Sequence, residues 1–136
     1  QFWDLLYDLA SRGVTLFVTT HYMDEAAHCN RLAFIYRGRI IADGSPAEIR
    51  SDHMDQRIFD ISTRDVDAVL QWLEAADGID EAYLSGATLH AVVPAGSPLT
   101  DAVLRDRLAT AGHPAVVAKV DPTIEDVFVN LVSRQR

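Results

Sequence analysis

The sequence predicts an α/β region followed by a small α+β domain and a closing amphipathic helix. The α/β region is indicated by an apolar, β-branched run, Val14 to Thr20, directly after a helical repeat of Phe2, Leu5, Leu6 and Leu9. The α+β domain is indicated by short segments after Arg57 that read, in order, strand, helix, strand, strand, helix, strand. The closing helix is indicated by Ile124, Val127, Phe128, Leu131 and Val132, which recur at i, i+3, i+4, i+7 and i+8.

The first helix, residues 2 to 11, is expected to stop near Gly13, a natural left-handed cap. The run Val14 to Thr20 has no polar alternation, which suits a strand covered on both faces, as in a parallel sheet flanked by helices. In such sheets ligands gather just beyond the carboxyl ends of the strands, where His21 stands. An imidazole there can donate a hydrogen bond or contact a phosphate oxygen. The structural alternative is a loop or capping residue. Asp24 and Glu25 fall in the first turn of a short helix, where carboxylates complement the positive end of the helix dipole.

Leu32 to Tyr36 and Arg39 to Ala42 flank Arg37-Gly38, which suits a tight antiparallel hairpin. Ser45-Pro46-Ala47-Glu48 combines a hydroxyl cap, a proline at the first helical position and a glutamate placed to close a capping box, so a helix starts here. A boundary follows it near Asp52.

Beyond the boundary, Arg57 to Ser62 reads as a strand, and Val66, Val69, Leu70 and Leu73 trace one face of a helix that ends near Gly78. Ile79 to Leu84 and Thr88 to Val93 read as strands joined by a turn at residues 85–87. Ser97-Pro98 is expected to open a helix carrying Val103, Leu104 and Leu108, and Ala115 to Val120 forms the last strand. That order is the split βαβ arrangement of ferredoxin-like domains, an antiparallel four-stranded sheet backed by two helices on one face. Asp60, Arg64 and Asp65 read as surface charges, and Trp72 as a core or rim residue. Thr123 and Asp126 resemble a capping box for the closing helix. Its apolar stripe is expected to dock on the chain's own first region; a partner-facing helix is the alternative.

Composition narrows the function classes. With 136 residues and 49% hydrophobic content, the chain can bury one modest core or two small ones. Twelve Lys and Arg against 20 Asp and Glu give a formal charge of −8, which opposes an electrostatic grip on nucleic acid or an anionic membrane surface. One cysteine, Cys29, leaves no internal disulfide and makes a reducing cytoplasm the simpler expectation. No stretch approaches the ~20 apolar residues that cross a bilayer, so no direct membrane insertion is expected. His21, His28, Cys29, His53, His90 and His113 do not follow paired ligand spacings, so no metal site is expected. The chain opens at Gln1 inside an amphipathic pattern, and is expected to be a fragment of a longer protein.

Thr19 to Ala26, read Thr-Thr-His-Tyr-Met-Asp-Glu-Ala, and the following Arg31 to Ile49 closely resemble the ATPase subunits of ATP-binding cassette (ABC) transporters. The resemblance covers about residues 1 to 50 strongly, at the switch-histidine segment and the hairpin after it. It implies that residues 1–52 are the C-terminal end of a P-loop nucleotide-binding domain. Residues 53–121 would then be a ferredoxin-like accessory domain of the kind some exporter-type members carry, and residues 122–136 a C-terminal helix and tail. It also implies that His21 contacts the γ-phosphate of ATP and helps organise the attacking water, with ATP and magnesium bound in the full-length parent.

The implied protein couples ATP hydrolysis to export, of the multidrug type. It works as a pair of ATPase subunits on membrane-spanning permease subunits, and is cytoplasmic and peripheral to the inner membrane. No phosphate loop of the form G-x-x-x-x-G-K followed by Ser or Thr occurs, nor a Ser-Gly-Gly signature, so the chain alone is expected to be inactive and to hold no cofactor. The alternative function is a ligand-sensing or dimerisation module of ferredoxin-like fold.

Overall fold

The computed structural model describes residues 2–135, which form six helices and six strands. Helix α1, Phe2–Ser11, ends at Gly13, whose φ of +86° is the left-handed cap that the sequence anticipates. Residues 14–20 then depart from expectation, because no strand forms there. Among the described residues no neighbouring strand pairs with this run, and most of its side chains stay exposed, Phe17 by 96%. An apolar β-branched sequence becomes a buried strand only where a sheet and a covering layer receive it.

After His21 comes a one-turn helix, α2, Met23–Ala26. Strands β1, Leu32–Tyr36, and β2, Arg39–Gly44, form a two-stranded antiparallel sheet with a bulge between Phe34 and Ile35. Tyr36 pairs with Arg39 across the turn, and Arg37 and Gly38 have φ of 51° and 77°. Two successive positive φ values match the primed turns whose twist suits a hairpin. Arg37 accepts this conformation with its guanidinium over the Tyr36 ring, 5.3 Å from the centroid. Helix α3, Pro46–His53, has its capping box: Ser45 Oγ accepts from Glu48 N, and Glu48 Oε1 accepts from Ser45 N, both at 3.1 Å.

Residues 57–120 supply strands β3, Arg57–Ser62, β4, Glu81–Ser85, β5, Thr88–Val93, and β6, Val116–Val120, with helices α4, Val66–Ala75, and α5, Asp101–Thr110. The sheet order is β4-β5-β3-β6 and every neighbouring pair is antiparallel. That order is compatible with the ferredoxin-like arrangement. Helix α5 starts later than Ser97-Pro98 because the loop before it is committed elsewhere. The Arg57 guanidinium donates to Leu99 O at 2.7 Å and Ser97 O at 2.5 Å, carbonyls that a helix begun at Pro98 would need. Thr100 takes over as cap, accepting from Val103 N at 3.2 Å.

The four-stranded sheet has two unlike faces. On one, Phe59, Ile61, Leu89, Ala91 and Val93 pack against Val69 and Leu73 of α4 and Leu104 and Leu108 of α5. On the other, Ile58 and Val92 join a second core with Leu32, Phe34, Ala42, Ile49 and Met54 from the N-terminal part. Helix α6, Ile124–Arg134, closes this second core with Ile124, Val127 and Leu131, and packs against α2 and α3. The Phe34 and Phe128 rings meet edge to face at 5.2 Å. Asn130 donates to His53 O at 3.3 Å and accepts from Gln56 at 3.4 Å, fixing the helix along its axis. The apolar stripe is thus buried within the chain itself.

Truncating that stripe should be costly. Leu131→Ala is expected to lower stability by roughly 2–5 kcal/mol. Val116→Ala, at a position 70% exposed on β6, should stay within about 0.5 kcal/mol. Urea unfolding of both variants checks the contrast.

Candidate functional site

His21 lies at the bend between the extended run and α2, and it is exposed, its ring 4.2 Å from that of Tyr22. Its neighbours are tied down more firmly than it is. Thr20 Oγ1 donates to Glu25 Oε1 at 2.7 Å and accepts from Tyr22 N at 3.0 Å. The Tyr22 carbonyl accepts from Glu25 N and Ala26 N, both at 3.2 Å. An exposed imidazole on a braced backbone can present a ring nitrogen to an anionic group brought from outside the chain. Among the described residues no group of three or more His, Cys, Asp and Glu side chains is arranged to hold a metal ion.

The other histidines are occupied differently. His28 Nδ1 meets the Tyr7 hydroxyl at 2.6 Å and its ring stacks on Trp3 at 5.0 Å, so this side chain seats α1. Cys29 packs beside the second core, and burial pushes its thiol pKa up, away from the reactive thiolate. Trp72 lines a shallow groove with Val103, Asp106 and Arg107.

A polar network that sequence reasoning missed crosses the second face of the four-stranded sheet. Cross-strand register sets Tyr83 of β4 opposite His90 of β5, and His90 opposite Asp60 of β3. Into this row α6 projects Asp126, whose side chain is fully buried. Asp126 Oδ1 accepts from the Tyr83 hydroxyl at 2.5 Å and lies 2.7 Å from His90 Nδ1, while Oδ2 accepts from Thr123 N at 2.8 Å. His90 Nε2 lies 3.3 Å from Asp60 Oδ2, which also accepts from Thr88 Oγ1 at 3.0 Å. Asp60 is therefore no plain surface charge, as the sequence alone had it. Asp65 likewise caps α4, accepting from Ala68 N at 3.4 Å.

Position between two carboxylates governs the titration of this network. The hydrogen bond to Asp126 raises the His90 pKa; burial opposes it, and the charges of Asp126 and Asp60 reinforce it. Burial alone would raise the Asp126 carboxyl, but hydrogen bonds from His90, Thr123 N and Tyr83 hold it below its ordinary value. Burial and the adjacent Asp126 carboxylate push the Tyr83 hydroxyl far upward, so it stays a donor. Such an arrangement orients and locks; the sequence-predicted His21 is not one of its members.

The two shifts have opposite consequences. The raised His90 contributes stability that is full below its ordinary 6.5 and is lost as pH rises through the elevated value. The lowered Asp126 contributes stability that is full above its ordinary 3.8 and is lost as pH falls through the depressed value. Stability from this pair is therefore expected to be greatest between those two values and to decline toward alkaline pH. Urea midpoints measured from about pH 5 to about pH 9 should show that decline, and His90→Gln should flatten it.

No protein-family model matches the chain. Its similarity to individual proteins is extensive. It is 35% identical over 136 residues to the Nod factor export ATP-binding protein I of Burkholderia orbicola strain AU 1054, covering 98% of this chain and 41% of that protein. The Mesorhizobium japonicum protein of the same name is 31% identical over 134 residues, covering 98% of this chain and 37% of the relative. A shorter match, 43% identical over 51 residues, covers 38% of this chain and 9% of the "Probable multidrug ABC transporter ATP-binding protein YbhF" of Escherichia coli K12. The chain spans about two fifths of the length of the relatives it matches throughout. Along nearly its whole length the chain is thus similar to proteins named as ATP-binding proteins of exporters, and over a shorter stretch to one named as an ABC transporter ATP-binding protein.

Proposed function

We propose that this chain is the C-terminal part of an ATP-hydrolysing subunit that drives export through separate membrane-spanning permease subunits. The observation that carries the reading is the similarity along 98% of the chain to proteins named for Nod factor export, supported over a shorter stretch by one named for multidrug transport. In this reading residues 1–52 end the P-loop nucleotide-binding domain, residues 53–121 are its accessory domain and residues 122–136 its closing helix. Phe2, Leu5, Val14, Leu16 and Phe17 are exposed apolar side chains, and the rest of the nucleotide-binding domain would cover them.

The mechanism belongs to a pair of such subunits closing on ATP and magnesium at the cytoplasmic face of the inner membrane. Magnesium neutralises phosphate charge when bound; the contribution of this chain is His21. Its ring donates a hydrogen bond to a γ-phosphate oxygen and helps hold the water that attacks phosphorus, as the phosphoanhydride bond to the β-phosphate breaks and ADP leaves. No helix among the described residues is long and apolar enough to cross a membrane, and contact with the bilayer would come through the permease.

Two measurements test this. The 136-residue chain alone should show no ATP turnover above background, and measurable hydrolysis by it would contradict the proposed division of labour. In the complete subunit, His21→Ala should reduce turnover by about two to four orders of magnitude while ATP binding is largely retained. Near-normal turnover in that variant would remove His21 from the mechanism.

A further inference from the structure

We propose that Glu25 is a positioning residue for His21, acting through the hydroxyl of Thr20; the inference rests on the reading of His21 given above. His21 is exposed, its ring against that of Tyr22, so its placement is inherited from the backbone on either side. That backbone is closed into a small ring. Thr20 Oγ1 accepts from Tyr22 N, spanning His21, and donates its own proton to Glu25 Oε1. Glu25 N in turn donates to Tyr22 O. Both polar backbone groups of Tyr22 are thereby held, and the hydroxyl is oriented so that its lone pair faces the Tyr22 amide.

The ring has a foundation. Glu25 is partly buried on α2, and the neighbouring Ala26 and Met23 pack into the core that α6 closes with Ile124, Val127 and Leu131. The Thr20–Glu25 pair thus stands between a buried core on one side and the backbone flanking the histidine on the other. The property required of Glu25 is an acceptor oxygen at 2.7 Å from a hydroxyl. A negative charge is not required, since the Thr20 hydroxyl supplies the proton. This distinguishes a positioning role from a direct one on substrate.

The test is steady-state ATP hydrolysis by the complete subunit, with kcat and KM for ATP determined for Glu25→Ala, Glu25→Gln, Thr20→Val and Thr20→Ser. A misplaced histidine should lower kcat by about 10- to 100-fold and leave KM within about twofold, because the group acts on the reacting phosphate more than on nucleotide binding. Glu25→Ala and Thr20→Val should both show this loss. Glu25→Gln, which retains an acceptor, and Thr20→Ser, which retains the hydroxyl, should recover most of it.

Wild-type kcat in Glu25→Ala or in Thr20→Val overturns the proposal, and so does a Glu25→Gln variant as defective as the alanine. Thr20→Val removes the same bond from the other side, so the inference remains testable if Glu25→Ala fails to fold. His21→Ala, run beside them, separates the two readings. Turnover retained there removes the role of His21, whereas turnover lost there but intact in Glu25→Ala and Thr20→Val removes only the role of Glu25.

Discussion

A carboxylate buried without partners would neutralise or be expelled, so the fully buried Asp126 is held in place by its donors. Three of them converge on it from three places: the Thr123 amide at the start of its own helix, the Tyr83 hydroxyl on β4 and the His90 ring on β5. Only one placement of α6 over the sheet satisfies all three together. Hydrophobic burial supplies the stabilisation, on the order of 2 kcal/mol for each of Ile124, Val127 and Leu131. Buried polar contacts of this kind add little net energy, since desolvation offsets much of their attraction. Their effect here is on register: a helix slid or rotated by one residue would still bury apolar surface, but would strand a charge.

The two faces of the sheet divide the work accordingly. The face under α4 and α5 is wholly apolar in its buried members and holds the β-α-β-β-α-β unit together. The opposite face mixes Ile58 and Val92 with the Tyr83, His90 and Asp60 row, and there the hairpin, α3 and α6 are joined to it. Both central strands, β3 and β5, must therefore satisfy two different environments at alternating positions. For β5 this explains why Thr88–Val93 reads as an apolar run interrupted by one histidine.

What was legible in the sequence was what local chemistry decides. The Ser45 and Thr123 capping boxes, the Arg37-Gly38 turn and the periodicity of α4 and α6 involve residues a few positions apart, and the structure has each of them. Strand order followed because a βαββαβ alternation leaves few topologies open. The misreadings share a different cause. The start of α5 is delayed by Arg57, some forty residues earlier in the chain, and residues 14–20 lack a neighbour that only a sheet can provide. Asp60, Tyr83, His90 and Asp126 meet through contacts between residues 30 to 43 positions apart, set by strand register and helix docking that no local signal encodes. A lone histidine in an otherwise apolar strand was the available hint, and it needed an acidic partner to become interpretable.

The segment with the candidate chemistry and the segment with the firm core are not the same. Helix α1 has no buried residue, Phe17 is almost wholly exposed, and His21 stands in solvent, whereas the sheet and its helices bury most of the chain's large apolar side chains. Functional elements are commonly drawn from the less stable parts of a fold, because a group that must meet a ligand has to be reachable and able to adjust. The bend at His21 reconciles the two demands by leaving the side chain free while bracing its flanks through Thr20, Glu25 and the packed end of α2. Since α6 covers α2 and is itself registered by Asp126, the position of an exposed histidine is referred back, contact by contact, to a buried carboxylate that α6 sets against the four-stranded sheet.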